Sequence, residues 1–163
     1  MLVSVIVGLL SDTHGRSDTT AAALEVLHKR GSKYLIHAGD ICSEEILEMM
    51  AGTPGAFVFG NNDFEFERYR RLAEAIDLVC LGDGGVVLLE EKKIAVAHGD
   101  KLAVMRELIG KKPDYFIYGH SHVAMDTTEQ GIRFINPGAL HRAKSYTCAT
   151  LDLTTGKLEM HEV

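Results

Sequence analysis

Cysteine is scarce and scattered in this chain. There are three, Cys42, Cys80 and Cys148, and no two form a Cys-x-x-Cys pair. An odd count at such separations is a poor disulfide framework, and it offers no thiolate set for zinc. Buried thiols in a reducing compartment are the expectation. Basic residues are also in deficit. Lys and Arg number 17 against 23 Asp and Glu, a formal net charge of −6. Without a basic stripe, stable binding along nucleic acid is not expected. A metal-dependent nuclease stays open, because bound cations reverse the local field. No apolar run approaches the roughly 20 residues that a bilayer demands. The opening MLVSVIVGLLSD is apolar for about ten residues and lacks the basic n-region and small-residue cleavage site of a signal peptide. It reads as a first buried strand, and the protein as cytoplasmic with no membrane association. Linkers, repeats and low-complexity segments are missing as well.

What is present suits one globular domain. The 163 residues are 46% hydrophobic and 25% charged, enough to bury one substantial core. Val5 to Leu10 is a continuous apolar run, the pattern of a strand covered on both faces. A helix follows, capped by Ser17 or Asp18 and ended by Gly31. Tyr34 to Ala38 is a second strand. Ser43 opens a second helix through ILEMMA, and Ala56 to Phe59 is a third strand. This βαβαβ order predicts parallel pairing.

The second half changes character. Phe64 to Ala75 is charged and partly helical. GDGGVVLLEEKKIAVAHGD reads as a hairpin, KLAVMRELIG as a short helix capped by Asp100, and Tyr115 to Tyr118 as a strand. Two more hairpins turn at Glu129 to Gly131 and at Thr154 to Gly156. The expected architecture is a parallel α/β half joined to a hairpin-rich half, as two packed sheets with helices outside.

In open α/β sheets, functional groups gather beyond the carboxyl ends of strands. The first strand is followed by Asp12 and His14, the second by Asp40, and the third by Asn61, Asn62 and Asp63. The hairpin strand IAVAHGD ends at His98, and YFIYGHSHV delivers His120 and His122. Gly39, Gly60, Gly99 and Gly119 beside them let the backbone turn close to a ligand. Two Asp, one Asn and four His exceed what one ion can use. Two ions sharing one carboxylate can use them, and Asp40 is placed for the sharing. Mixed imidazole and carboxylate donors suit Mn, Fe, Zn, Co or Ni over Mg or Ca. Two such ions clamp a displacement at phosphorus.

The motifs SDTHG, GD, GNND, HG and GHSH, in that order, resemble the signature of the calcineurin-like metallophosphoesterase superfamily, and the short chain resembles its small bacterial and archaeal phosphodiesterases. The likeness runs from Asp12 to about Arg142. It implies a four-layer α/β/β/α sandwich of two mixed β-sheets. It also implies that Asp12, His14, Asp40 and His122 hold one divalent ion and that Asp40, Asn61, His98 and His120 hold a second. Manganese is the first expectation, with iron, nickel or zinc as alternatives. A hydroxide bridging the ions would attack a phosphate ester.

One departure matters. Where most of the superfamily has a histidine thought to protonate the leaving alkoxide, this chain has Asn62. A carboxamide donates a hydrogen bond but is no general acid at ordinary pH, so diesters and acidic leaving groups are the expected substrates. Asp63 either orients Asn62 or caps its own turn. Arg142, after the INPGALHR stretch, is a candidate contact for a phosphate oxygen; Ala139 stands where the family often has Ser. His37 reads as a core imidazole orienting a ligand, Cys42 as a small packed side chain, and His28 and His161 as surface residues. His141 neighbours the site with no motif behind it. The competing readings are an interaction platform of the same fold, like a subunit of the retromer complex, and a phosphomonoesterase or nuclease with the same centre. Seven filled ligand positions favour an enzyme. A homo-oligomer through exposed hairpin edges is a further possibility.

Overall fold

Leu9 and Leu10 are both fully buried, although side chains alternate across a strand. The computed structural model, which describes residues 4–163, shows why. Strand β1 (Ile6–Leu10) lies mid-sheet between two cores. After it come α1 (Ser17–Lys29), β2 (Ser32–His37), α2 (Glu44–Met49), β3 (Gly55–Phe57), α3 (Phe66–Ala75) and β4 (Leu78–Cys80). The second half holds β5 (Gly84–Leu89), β6 (Lys92–Ala97), α4 (Leu102–Gly110), β7 (Tyr115–Ile117), β8 (Met125–Glu129), β9 (Ile132–Asn136), β10 (Thr147–Asp152) and β11 (Leu158–Glu162).

Six strands form the first sheet in the order β11-β10-β1-β2-β3-β4, and five form the second in the order β5-β6-β7-β9-β8. β1 to β4 are parallel, as are β6, β7 and β9. Val7, Leu9, Ile36 and Val58 meet Ile94, Val96, Ile117 and Ile135 between the sheets. On the outer face, Leu10, Leu35 and Phe57 pack under α1 to α3 with Leu24, Leu47 and Tyr69. Ala95, Ala97 and Phe116 pack with Leu108 of α4 on the opposite outside. The result is the expected four-layer α/β/β/α sandwich of two mixed sheets. No helix among the described residues is long and apolar enough to cross a membrane.

Several local expectations need correction. The last hairpin, β10–β11, does not stay with the second half; it pairs antiparallel with β1 and completes the first sheet. Ser17 and Asp18 do not cap α1. Arg16 holds the cap position without a side-chain cap bond, because the preceding turn is committed elsewhere: His14 N donates to Asp40 O and Gly15 N to Ile41 O. Asp100 does not cap α4 either, since Lys101 intervenes at the cap. His161 is buried, its strand position turned inward, with Nε2 2.8 Å from Thr150 Oγ1. Ser43 does cap α2, accepting from Glu45 N at 3.2 Å. Cys148 is buried, whereas Cys42 and Cys80 are half-buried.

Candidate metal centre

The three parallel strands β1, β2 and β3 of one sheet end beside β6 and β7 of the other, and their loops converge. Asp12 enters from β1, fully buried. Ser11 Oγ donates to its Oδ2 at 2.7 Å and His120 N at 3.1 Å. Its Oδ1 stays buried with no hydrogen-bond partner, 3.2 Å from His122 Nε2 and 3.8 Å from His98 Nε2. Asp40 enters from β2. Its Oδ2 lies 3.3 Å from His14 Nε2 and 3.4 Å from His98 Nε2, so one carboxylate oxygen faces imidazoles from both sheets. Asn62 N donates to Asp40 Oδ1 at 2.8 Å and Asn62 Nδ2 to Oδ2 at 2.9 Å.

Asp12, His14, Asp40 and His122 each offer one atom to a group whose members all lie within 4.8 Å of one another. The other three predicted ligands sit against this group. His98 reaches Asp40, its ring stands 5.1 Å from that of His120, and His120 Nδ1 lies 3.1 Å from Asn61 Oδ1. The seven thus form one connected group around Asp12 and Asp40.

The outer nitrogens of two imidazoles are fixed by backbone. His98 Nδ1 is 2.8 Å from Ala38 O and His122 Nδ1 is 3.3 Å from Arg142 O. Donation to those carbonyls leaves Nε2 unprotonated in the neutral ring and directed at the carboxylates. His37 is fully buried; its Nδ1 accepts from Gly39 N and its Nε2 faces Thr13 Oγ1 at 3.0 Å. It thereby joins the β1 loop to the turn that carries Asp40.

Charge follows geometry. Burial raises the Asp40 carboxyl, but the facing His14 and His98 imidazoles and the two hydrogen bonds from Asn62 outweigh it and hold the group far below the usual range. Burial lowers His98, yet the Asp40 and Asp12 carboxylates reverse this and lift it to about 9. His37 is pushed down to about 3, mainly by burial. Burial, then Asp63, Asp40 and Asp12, push the Cys42 thiol up to about 12. In the metal-free protein that thiol is therefore protonated at neutral pH and a poor nucleophile.

A cation fits this donor set. Asp12 Oδ1, His14 Nε2 and His98 Nε2 are buried polar atoms without hydrogen-bond partners. Such atoms are costly to leave unpaired. Their mixed imidazole and carboxylate character suits a borderline divalent ion. The backbone is also strained here: φ is 53° at Asp12, 45° at His14, 56° at Asp40, 68° at His120 and 60° at His122. Left-handed residues other than glycine gather at functional sites.

Asp63 is 1% exposed, and its two oxygens accept from Cys42 N and Gly60 N, both at 2.8 Å. It staples the β3 loop to the β2 loop. Arg142 is exposed and meets the centre through its carbonyl. His141 stands with its ring 5.0 Å from that of His14 and its Nδ1 buried without a partner. Asn136 was not singled out by the sequence, although it opens the Asn-Pro-Gly stretch. Its Nδ2 donates to Gly119 O and Ser121 Oγ at 3.0 Å, holding the turn between His120 and His122. Ser11 was also missed; its position beside Asp12 is the only signal it carries.

A model of the calcineurin-like phosphoesterase superfamily domain matches residues 5–156. The chain belongs to that superfamily. It is similar to a phosphodiesterase of Methanocaldococcus jannaschii, with 26% identity over 136 residues, covering 81% of this chain and 82% of the relative. A probable metallophosphoesterase of Mycoplasma pneumoniae is 30% identical over 158 residues, covering 92% and 91%. Among solved structures, an archaeal phosphodiesterase superimposes with a TM-score of 0.89 at 23% identity, covering 98% of this chain and all of the other. Vps29 of Cryptosporidium parvum superimposes at 0.64 with 20% identity, covering 98% and 97%. These structures share the fold. Membership of the superfamily, whose members use divalent metals, agrees with the group formed by Asp12, His14, Asp40 and His122.

Proposed function

We propose that the protein is a phosphodiesterase working with two divalent ions, manganese first among them. The observation that carries this reading is the single Asp40 oxygen lying 3.3 Å and 3.4 Å from the His14 and His98 nitrogens, with unpaired buried atoms on either side. Asp12, His14, Asp40 and His122 would hold one ion, and Asp40, Asn61, His98 and His120 the other. When bound, the pair would supply Lewis acidity toward phosphoryl oxygens and a solvent nucleophile at neutral pH.

The chain's own residues do the rest. Ser11 and the His120 amide fix one Asp12 oxygen and so orient the other inward. The backbone carbonyls of Ala38 and Arg142 hold the His98 and His122 rings in the tautomer that presents Nε2. Asn62 steadies the shared carboxylate with two hydrogen bonds, and it has no proton to give a departing alkoxide. General acid catalysis contributes about 10²–10⁴-fold, and its loss weighs most on poor leaving groups. The substrates are therefore diesters, or esters with acidic leaving groups, and alkyl monoesters are slow. Arg142, on the exposed rim, supplies charge for a non-bridging phosphate oxygen.

The test is hydrolysis by metal-stripped protein after addition of Mn²⁺, Ni²⁺ or Zn²⁺, comparing an aryl diester, its monoester and an alkyl monoester. Metal-restored turnover, fastest on the diester, is expected. Tight metal binding with no turnover of any ester refutes the reading in favour of an interaction platform. An Asn62→His variant that gains nothing on alkyl esters refutes the role given to Asn62.

A further inference from the structure

A cavity of about 270 Å³, separate from the centre, is walled by Phe59, Phe66, Arg70, Asp83 and Lys101. Its walls come from the same loops that carry the ligands. Phe59 stands two residues before Asn61, and Lys101 three residues after His98. An extended chain spans at most about 3.6 Å per residue, so the Cα atoms of these wall residues lie within about 7 and 11 Å of the Cα atoms of Asn61 and His98. A ligand large enough to carry both a phosphate and a ring is the kind that can engage both places.

The chemistry of the walls is selective. Phe66 is 42% exposed, and its ring centroid lies 4.7 Å from that of buried Phe59. The Arg70 guanidinium sits over the other aromatic wall, 5.2 Å from the Phe59 centroid. Two flat surfaces, one aromatic and one cationic, favour a planar ring. At the rim, Lys101 Nζ meets Asp83 Oδ1 at 2.8 Å, both side chains being half exposed. A donor and an acceptor side by side match the edge of a heterocycle. They suit an isolated phosphate poorly, because Asp83 repels it, and an alkyl chain poorly, because the rim is charged. The cavity is just below the range of about 300–1,000 Å³ for whole-ligand sites, so it takes one ring system and leaves the phosphate outside.

We infer that this cavity seats the nucleobase of a nucleoside phosphodiester whose phosphorus lies at the metal centre, an inference that rests on the phosphodiesterase reading above. Phe66 stacks on the base, and Lys101 and Asp83 read its edge.

Two kinds of ester with one leaving group test it. The Mn²⁺-loaded protein is given the 4-nitrophenyl esters of thymidine and adenosine 5′-monophosphate, and methyl 4-nitrophenyl phosphate. The leaving group is constant, so the ratio of kcat/KM reads the nucleoside alone. A preference of about tenfold or more for a nucleoside ester is expected, carried by KM. Phe66→Ala and Lys101→Ala should each bring the ratio toward one, and Phe66→Tyr should keep it. Melting temperature and Mn²⁺ titration show that each variant is folded. A ratio near one in the unmodified protein, or a ratio that neither Phe66→Ala nor Lys101→Ala changes, overturns the inference. If no ester is hydrolysed, the phosphodiesterase reading fails instead, and nucleotide binding decides the cavity. Chemical-shift changes on adding thymidine or adenosine 5′-monophosphate that saturate, and vanish in Phe66→Ala, sustain it. No such changes overturn it.

Discussion

Replacing Gly60 by Ala should disable the centre while leaving most of the fold intact. A Cβ at Gly60 would lie 2.2 Å from Asp40 Oδ1 and 2.4 Å from Asp40 N, where ordinary contact begins near 3.4 Å. The amide belongs to the β2 loop and cannot give way alone, so the β2 and β3 loops must part by about 1 Å, and the carboxylate retreats with its loop. Retreat breaks the 2.8 Å bond from Asn62 N. It also moves the one oxygen that faces both His14 and His98. Misplacement by about 1 Å costs roughly 10²-fold in rate, and losing the support of a ligand lowers metal affinity about 10–100-fold. Overpacking adds a stability loss of about 1–3 kcal/mol. The assays are calorimetric Mn²⁺ titration, hydrolysis of an aryl diester and thermal melting. Gly110→Ala is the control. It closes α4 with nothing within 4 Å of its added Cβ, and it should gain up to about 1 kcal/mol from helix propensity. A folded Gly60→Ala protein with unchanged metal affinity and turnover would refute the account of Asp40 as the shared, sterically clamped ligand.

Other outcomes can be checked directly. Asp63→Asn keeps the shape but turns one acceptor into a donor facing a backbone N–H, at Cys42 or Gly60. A loss of about 1.5–3 kcal/mol is expected, which calorimetry should register as a melting temperature lower by roughly 3–10 °C. His98 and His37 bend the stability of metal-free protein in opposite windows. His98 is raised to about 9, so its contribution is complete below about pH 6.5 and is lost as pH rises through 9. His37 is lowered to about 3, so stability declines as pH falls below about 6.5, where only the unfolded chain takes the proton. Urea midpoints measured from pH 4 to 9.5 should show both arms. A His98→Gln variant that keeps the alkaline decline would contradict the assignment. Below pH 9, metal binding should release the His98 proton, so Mn²⁺ affinity should rise with pH up to about 9.

The residue types at the strand ends make the group formed by Asp12, His14, Asp40 and His122 legible in the sequence. Asp12, Asp40 and His98 follow apolar runs too short and too β-branched for anything but buried strands, and the neighbouring glycines mark where backbone must pass close. The four layers followed from the same runs. Leu9 faces one core and Leu10 the other, which a continuous apolar stretch implies. The allocation of the final hairpin was not legible, because alternation fits either sheet and pairing is decided by distant partners such as Val7 with Leu151. β4 escaped notice because it has three residues, of which Leu78 alone is buried. The caps misled for a different reason. Ser17 and Asp18 have the right side chains, but hydrogen bonds between the β1 and β2 loops decide where the helix begins. His161 reads as a surface residue in the sequence because its hydrogen-bond partner, Thr150, lies on another strand.

The left-handed backbone at the ligands bears on how such a protein changes over generations. Five of the seven candidate positions hold Asp or His where glycine is the unstrained choice, each at a cost of roughly 1–2 kcal/mol. While the chemistry is under selection, that cost is tolerated. In a lineage no longer selected for it, replacing His14, His120 or His122 by glycine relieves that strain and leaves in place the hydrogen bonds that Asp12 and Asp40 accept. Drift therefore runs downhill, away from the metal and toward a sturdier sandwich, and the same architecture stays available to chains that keep its surface and abandon its reaction.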